Sequence, residues 1–394
     1  MYLETNTKTE CCGCSACVKV CPVQCISLEK DDEGFFYPLK DSDRCIRCNK
    51  CVHVCPIEKQ TLKKVKSTYA GTAVDSKIVN NSSSGGVCPT IVKNFLENGA
   101  IVYAVELDKS LKVQFKRVEK EEEIVRIQGS KYVQCLLTRD VLNSIDADLK
   151  SGKRVCFVGT PCQVQAVRNV FTDKNLFTVD FVCHGVPSSY MFEKYIKNLE
   201  KKHKGKVVDL NFRNKDKYGW SITLSYDMQK NGKVKRYYLS HKMSSYFVGF
   251  LHGLTLRESC YNCKYSSVER SSDITLADFW GCDKIIPEIA NKNGVSLVLV
   301  NTQAGENVIN AITEQKKVVL KRIDKEVGLS QSINTNLAHP TARKEKRDTI
   351  YKDLEENGFE YVEKKYFKPL VSTRERIIAR IPYSLRKAIK KIIK

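Results

Sequence analysis

The sequence contains no run of 18 apolar residues, and so no segment that reads as a membrane-crossing helix. Its opening residues, MYLETNTKTE, lack the apolar stretch of a secretory leader, which sets the expectation of a cytoplasmic, reduced chain. No G-x-G-x-x-G follows an apolar strand pattern, so the standard dinucleotide fingerprint is missing. No recognition motif for nucleic acid accompanies the positive charge, and no nucleic-acid partner is expected.

What is present is cysteine, 18 of them in 394 residues. They fall in C-x2-C groups, which favours metal over disulfides. The formal charge of +21 needs discounting, since a 4Fe–4S core on four thiolates carries about −2. Much of the rest is local: Lys364 to Lys394 holds eleven Lys or Arg and one acid, Glu375.

The first 60 residues contain one motif twice. Cys11-x2-Cys14-x2-Cys17-x3-Cys21-Pro22 is followed by Cys45-x2-Cys48-x2-Cys51-x3-Cys55-Pro56. In this bacterial ferredoxin spacing, three close thiolates wrap one 4Fe–4S cluster and the fourth reaches across to the other. The expected sets are Cys11, Cys14, Cys17 and Cys55, and Cys45, Cys48, Cys51 and Cys21. Zinc would also take four thiolates per site, but the doubled spacing with both prolines is typical of iron–sulfur. Cys12 and Cys25 are surplus to the pattern. Paired clusters imply one-electron transport.

Beyond a basic linker at 59–68, apolar runs alternate with helical periodicity, which is α/β organisation (α+β overall). Ala100–Val105, Val155–Gly159, Leu176–Val182 and Val295–Val300 read as buried parallel strands. Val87–Glu97, Gln163–Val170 and Tyr190–Lys202 read as helices. Asn211–Tyr238 reads as strands and a hairpin turning at Asn231-Gly232-Lys233. From about Gly305 the pattern is helix and charged linker.

Two strand ends carry cysteine, in Thr160-Pro161-Cys162-Gln163 and in Cys183-His184-Gly185. Parallel strands would put both at the carboxyl edge of one sheet, where open α/β sheets bind ligands. With Cys260 and Cys263 they make four cysteines for a third 4Fe–4S cluster; buried apolar thiols plus a zinc or structural pair is the alternative. The segment Asn81-Ser82-Ser83-Ser84-Gly85-Gly86 opens a helix and offers an anion site, though taken alone an ordinary serine cap with a Gly-rich turn is the simpler reading. Lys131 supplies a cation near a turn.

Taken together, SSSGGV at 82–87, GSKYVQ at 129–134, GTPCQV at 159–164, DFVCHGVPS at 180–188, NFRNK at 211–215 and CYNCKYSSVERSSDITLADFWG at 260–281 resemble the coenzyme F-420 hydrogenase/dehydrogenase beta-subunit family, iron–sulfur flavoproteins that include 7-hydroxymethyl chlorophyll a reductase. The resemblance runs to about Gly305. It implies a ferredoxin-like domain at 1–60 and a mixed α/β flavoprotein body in two parts at 68–150 and 151–305; residues 306–394 lie outside it and read as a basic helical tail. It implies bound FAD, with Ser83, Ser84, Gly85, Gly86 and Lys131 as flavin contacts, and it favours the third cluster at Cys162, Cys183, Cys260 and Cys263. Asp278 is expected near the same site, whereas Phe279 and Trp280 are expected in the core. His184 is a candidate acid beside Cys183, or a structural histidine. Fused bacterial members of this kind look like partners of surface-polysaccharide enzymes.

The expected function is therefore an iron–sulfur flavoprotein oxidoreductase passing electrons between the ferredoxin clusters and FAD, with a redox protein or small reductant as partner. The alternative is an electron-transfer subunit without its own substrate site. Ile377, Ile378, Ile381, Leu385, Ile389, Ile392 and Ile393 lie at helical spacing among Lys and Arg. Residues 370–394 are thus expected to form an amphipathic basic helix pair, lying on an anionic membrane surface or docked on the body.

Overall fold

The computed structural model describes residues 1–381. The chain begins with two cysteine loops and the hairpin β1 (Ile26–Lys30) and β2 (Phe36–Lys40), antiparallel with Ile26 opposite Lys40. There follow β3 (Ser67–Ala73), β4 (Ile101–Leu107), β5 (Val113–Val118), β6 (Val155–Val158), β7 (Leu176–Phe181), β8 (Lys206–Asn211), β9 (Thr223–Lys230), β10 (Lys233–Ser240), β11 (Ile274–Asp278), β12 (Ser296–Val300) and β13 (Val318–Ile323).

Eight of these strands form one mixed sheet in the order β13-β3-β12-β11-β7-β6-β4-β5. At its centre β4, β6, β7 and β11 run parallel, with Val155 opposite Leu176. The strands are mostly apolar because both faces are covered, with buried Thr178, Asp180 and Thr275 as hydrogen-bonded exceptions. In β4, Ile101 and Tyr103 join a core with Leu142, Ile145 and Val164, while Val102 and Ala104 join another with Ile91, Phe95 and Ile309. The helices supplying these contacts are Arg139–Lys150 and Pro161–Val170 on one side, and Val87–Glu97 and Gln303–Glu314 on the other.

The strand Ser296–Val300 corrects one expectation: β12 is antiparallel to both β11 and β3. A wholly buried strand looks the same in sequence whichever way it runs. A second correction concerns 306–394. The segment after Gly305 is not only helix and linker, because β13 closes the sheet edge against β3. The two parts of the body share this one sheet, with β6 and β7 pairing directly beside β4.

The strands β8, β9 and β10 form a separate three-stranded sheet. Its hairpin turns at Asn231 and Gly232, both at positive φ, as a two-residue type I′ turn requires. Behind it, the helices Ser189–His203 and Arg347–Val362 pack into a core that also takes Phe35 and Tyr37 from the ferredoxin hairpin. The helix Thr373–Arg380 follows, and among the described residues no helix is long and apolar enough to cross a membrane. The expected basic helix pair falls mostly on 382–394, outside the described residues.

Candidate functional site

The two cysteine loops sit side by side and exchange their last members. Burial pushes the Cys17 thiol up, and the charges of Cys14, Cys11 and Cys55 add to the shift. Cys55 is itself pushed up to about 11 by burial, then by Cys14, with Cys11 contributing. Cys55 of the second run therefore lies with the first three. Cys21, Cys45, Cys48 and Cys51 line one cavity of about 370 Å³ with Lys40, Arg47 and Lys50. A zinc ion would draw its thiolates to about 2.3 Å from a single centre. Four thiolates about an open volume suit a cluster, so the donor set fits a 4Fe–4S group.

The surplus cysteines are not remote. Cys25 lies 3.4 Å from Cys21, sulfur to sulfur, and lines the same cavity. Cys12 lies between Cys14 and Cys162, and these two thiols together with burial push its own up.

The third set is assembled from separate segments. Cys162 opens the helix Pro161–Val170, whose capping box joins Thr160 to Gln163. Cys183 follows β7, and Cys260 and Cys263 lie in and after the turn Glu258–Asn262. Gly185, at φ +121°, permits the approach: a Cβ there would stand 2.7 Å from Leu256 and 3.1 Å from the Cys260 side chain. The buried Arg270 guanidinium fastens the following loop, donating to the carbonyls of Tyr265 and Phe181 and pairing with Asp180. Burial pushes Cys183 up to about 12, with the charges of Cys162 and Cys263 adding. Cys260 is raised by burial, then by Cys183, Cys263 and Cys162. Cys162 moves the other way, to about 7, chiefly through the neighbouring Cys12 thiol, with Thr160 at 3.3 Å adding. All four are thus within electrostatic reach of one another, at the carboxyl edge of the parallel strands.

His184 is held on both ring nitrogens. Nε2 donates to the Phe250 carbonyl at 3.1 Å, and Nδ1 lies 3.1 Å from Asn336 and 3.2 Å from Thr341. Burial lowers its pKa. This is a strut between β7 and the Asn336–Thr341 loop.

The serine loop lies at the neighbouring strand ends. Ser83 Oγ accepts from the Ser130 amide at 2.7 Å, and Ser84 donates to the Val295 carbonyl. Gly85 packs so closely that a Cβ would stand 2.4 Å from the Gly71 carbonyl; Gly86 caps the helix Val87–Glu97. Lys131 donates to the carbonyls of Ile127 and Gln128, and burial brings its pKa down to about 7. In this state, therefore, the expected flavin contacts are engaged within the chain.

NFRNK explains how the loop is held. Arg213 donates to the Ser83 carbonyl, to Tyr132 and to both oxygens of Asp278, at 2.8 and 3.2 Å. Lys215 donates to the carbonyls of Val79 and Ser84 at 2.7 Å. Asp278 also accepts from Trp220, which stacks on Trp280 at 4.7 Å and 7°. Asp278 is thus an ion-pair partner, and Phe279 is buried in the core. Trp280 instead half-emerges beside Arg213, 5.6 Å over its ring. These contacts span 58 to 136 residues in sequence, so motif spacing alone did not reveal them.

Comparison with known proteins matches the same three stretches. Residues 10–59 match a 4Fe–4S dicluster domain. Residues 68–143 match the coenzyme F420 hydrogenase/dehydrogenase beta subunit N-terminal domain, and 152–326 match its C terminus. The chain belongs to the coenzyme F420 hydrogenase/dehydrogenase beta-subunit family. This family member is 26% identical over 251 residues to the coenzyme F420-dependent sulfite reductase of Methanocaldococcus jannaschii, a match covering 61% of this chain and 36% of that protein. The chain thus spans about a third of that relative's length. A solved structure of the F420-reducing [NiFe] hydrogenase complex from Methanosarcina barkeri aligns at 17% identity with a TM-score of 0.45, covering 77% of this chain and 91% of that one. The chain is an iron–sulfur, oxidoreductase-type electron-transfer protein related to F420-dependent enzymes.

Proposed function

We propose that the chain is an oxidoreductase with three 4Fe–4S clusters and a flavin-type cofactor, exchanging electrons between a one-electron partner and a two-electron reaction. The observation that carries this is the convergence of Cys162, Cys183, Cys260 and Cys263, from three segments, beside the Cys14 and Cys12 of the ferredoxin module. Clusters would supply one-electron steps and FAD would join these to a two-electron step, whereas coenzyme F420, a hydride carrier, would be the two-electron partner of that flavin. The resemblance favours FAD against the serine loop; the names of the relatives favour coenzyme F420. Either would need Ser83, Ser84 or Lys131 to exchange a partner within the chain for a ligand. A role in surface-polysaccharide assembly rests on the resemblance alone.

The exchange point for the one-electron partner is the second cysteine set. Cys48 is exposed, and Leu39 and Ile46 beside it are 51% and 59% exposed. Lys40, Arg47 and Lys50 line the cavity. This surface suits a small redox protein with an acidic face.

The second reading, an electron-transfer subunit without its own substrate site, is favoured by the engagement of Ser83, Ser84 and Lys131 within the chain. Anaerobic purification with iron, sulfide, FAD and coenzyme F420 measured per chain separates the two. About twelve irons with one flavin-type ring is the expected result, four irons to each of three clusters. About eight irons and no ring would overturn the proposal in favour of the second reading.

A further inference from the structure

Arg257 is 0% exposed, yet its hydrogen bonds reach no carboxylate. Nε donates to the Cys11 carbonyl at 2.7 Å, one terminal nitrogen to the Phe36 carbonyl at 2.9 Å, and the other to Gln134 Oε1 at 3.3 Å. The guanidinium lies 4.1 Å over the ring of Tyr37. A buried cation is costly unless an opposite charge faces it. The nearby glutamates serve others: Glu258 pairs with Arg343 and Arg347, and Glu33 with Arg347.

Besides the Tyr37 phenol, the groups that face Arg257 are sulfurs. Cys11, Cys12 and Cys260 act on it, and it acts in turn on Cys162. Its own backbone completes the bridge, since its amide donates to the Val186 carbonyl and its carbonyl accepts from the Cys260 amide. One side chain thus stands between a thiolate set of the ferredoxin module and the set at the sheet edge.

We propose that Arg257 is the shared counter-cation of these two cysteine sets, holding both clusters at a higher reduction potential than a neutral residue would. The proposal rests on the reading of Cys162, Cys183, Cys260 and Cys263 as cluster ligands. Each electron taken up adds a negative charge, and a fixed cation in a dry site favours that state. The set at Cys21, Cys45, Cys48 and Cys51 is outside this contact and serves as the internal control. Arg257 is a positioning and tuning residue, not a catalytic one.

The test compares full-length Arg257→Lys, Arg257→Gln and Arg257→Met, purified anaerobically, by iron content and by EPR-monitored redox titration. The neutral variants are expected to lower the reduced-to-oxidised ratio of the two adjoining clusters tenfold or more at fixed potential, equivalent to 59 mV for one electron. Arg257→Lys is expected to stay near the parent, and the control cluster to stay unchanged in all three. Equal shifts in the Lys and Gln variants, no shift, or the same shift in every cluster would overturn the proposal. Should Arg257→Met lose iron, the Lys-to-Gln comparison decides. A parent chain with about eight irons defeats the third-cluster reading and the shared role together; the first cluster then shows alone whether Arg257 tunes a potential.

Discussion

Lys215 shows how much a single buried side chain carries. Its amine spans the carbonyls of Val79 and Ser84, and burial, reinforced by the Arg213 charge, brings its pKa down to about 7. An unfolded lysine holds its proton to about pH 10.4. Between pH 7 and 10 the unfolded chain therefore binds one proton more than the folded one. Stability from this group rises with pH across that window, by up to about 1.4 kcal/mol per unit, and is flat below 7. Anaerobic urea unfolding at pH 7, 8 and 9 should give a smaller slope for Lys215→Met than for the parent; equal slopes would show that Lys215 is charged in the fold. The difference cancels the titrating cysteines common to both. Residues of this kind were illegible in the sequence. The eight ferredoxin cysteines could be read because three-residue spacing fixes a loop wherever it occurs. Arg213, Lys215 and Arg257 act on groups more than 100 residues away, and an isolated Arg or Lys carries no mark of that. Lys131 was singled out by its motif, and the structure places its amine on two neighbouring carbonyls.

At the scale of elements, what matters is where strands end. The apolar runs gave β4, β6 and β7 nearly to the residue, because central strands are buried on both faces and mostly apolar. For the same reason the direction of β12 was hidden. The parallel pairing of β6 with β7 brings Cys162 and Cys183 to one edge, and the Cys260 turn must then come down upon it. Gly185 is the residue that lets it. Its φ of +121° and the 2.7 Å approach to Leu256 leave no room for a methyl group. Gly185→Ala should thus lift the Cys260 turn from the Cys183 strand end. Iron per chain is expected to fall from about twelve to about eight, with the ferredoxin signals kept. Full iron content in this variant would argue that Cys183 and Cys260 serve different sites.

For the whole molecule, the parts named from sequence interlock more than their order in the chain suggests. Lys19 of the first cysteine loop bonds Asn143 and Asp146, and Ala16 packs on Ala166 with both fully buried. The late helix Arg347–Val362 returns to the hairpin, where Arg347 pairs with Glu33 and Tyr351 meets Phe35 edge-on at 5.9 Å. Beyond it, Ile377 and Ile378 stand 57% and 41% exposed on the helix Thr373–Arg380. We propose that this end of the chain, with the basic residues after it, meets an anionic bilayer. Co-sedimentation with vesicles containing phosphatidylserine should fall when 373–394 are removed and should weaken with salt; equal binding by both chains would exclude the tail as anchor.

The clamp between Glu33 and Arg347 has a consequence in time. The two residues are 314 positions apart, and a ribosome adds roughly 5 to 20 residues each second. The ferredoxin loops therefore emerge roughly 15 to 60 s before the helix that covers their hairpin. In that interval Phe35 and Tyr37 lack their final packing partners, and the cysteines lie open to iron and to oxidants alike. Loading of the first two clusters can thus precede completion of the fold, whereas the Cys260 set must wait for its own turn to be made.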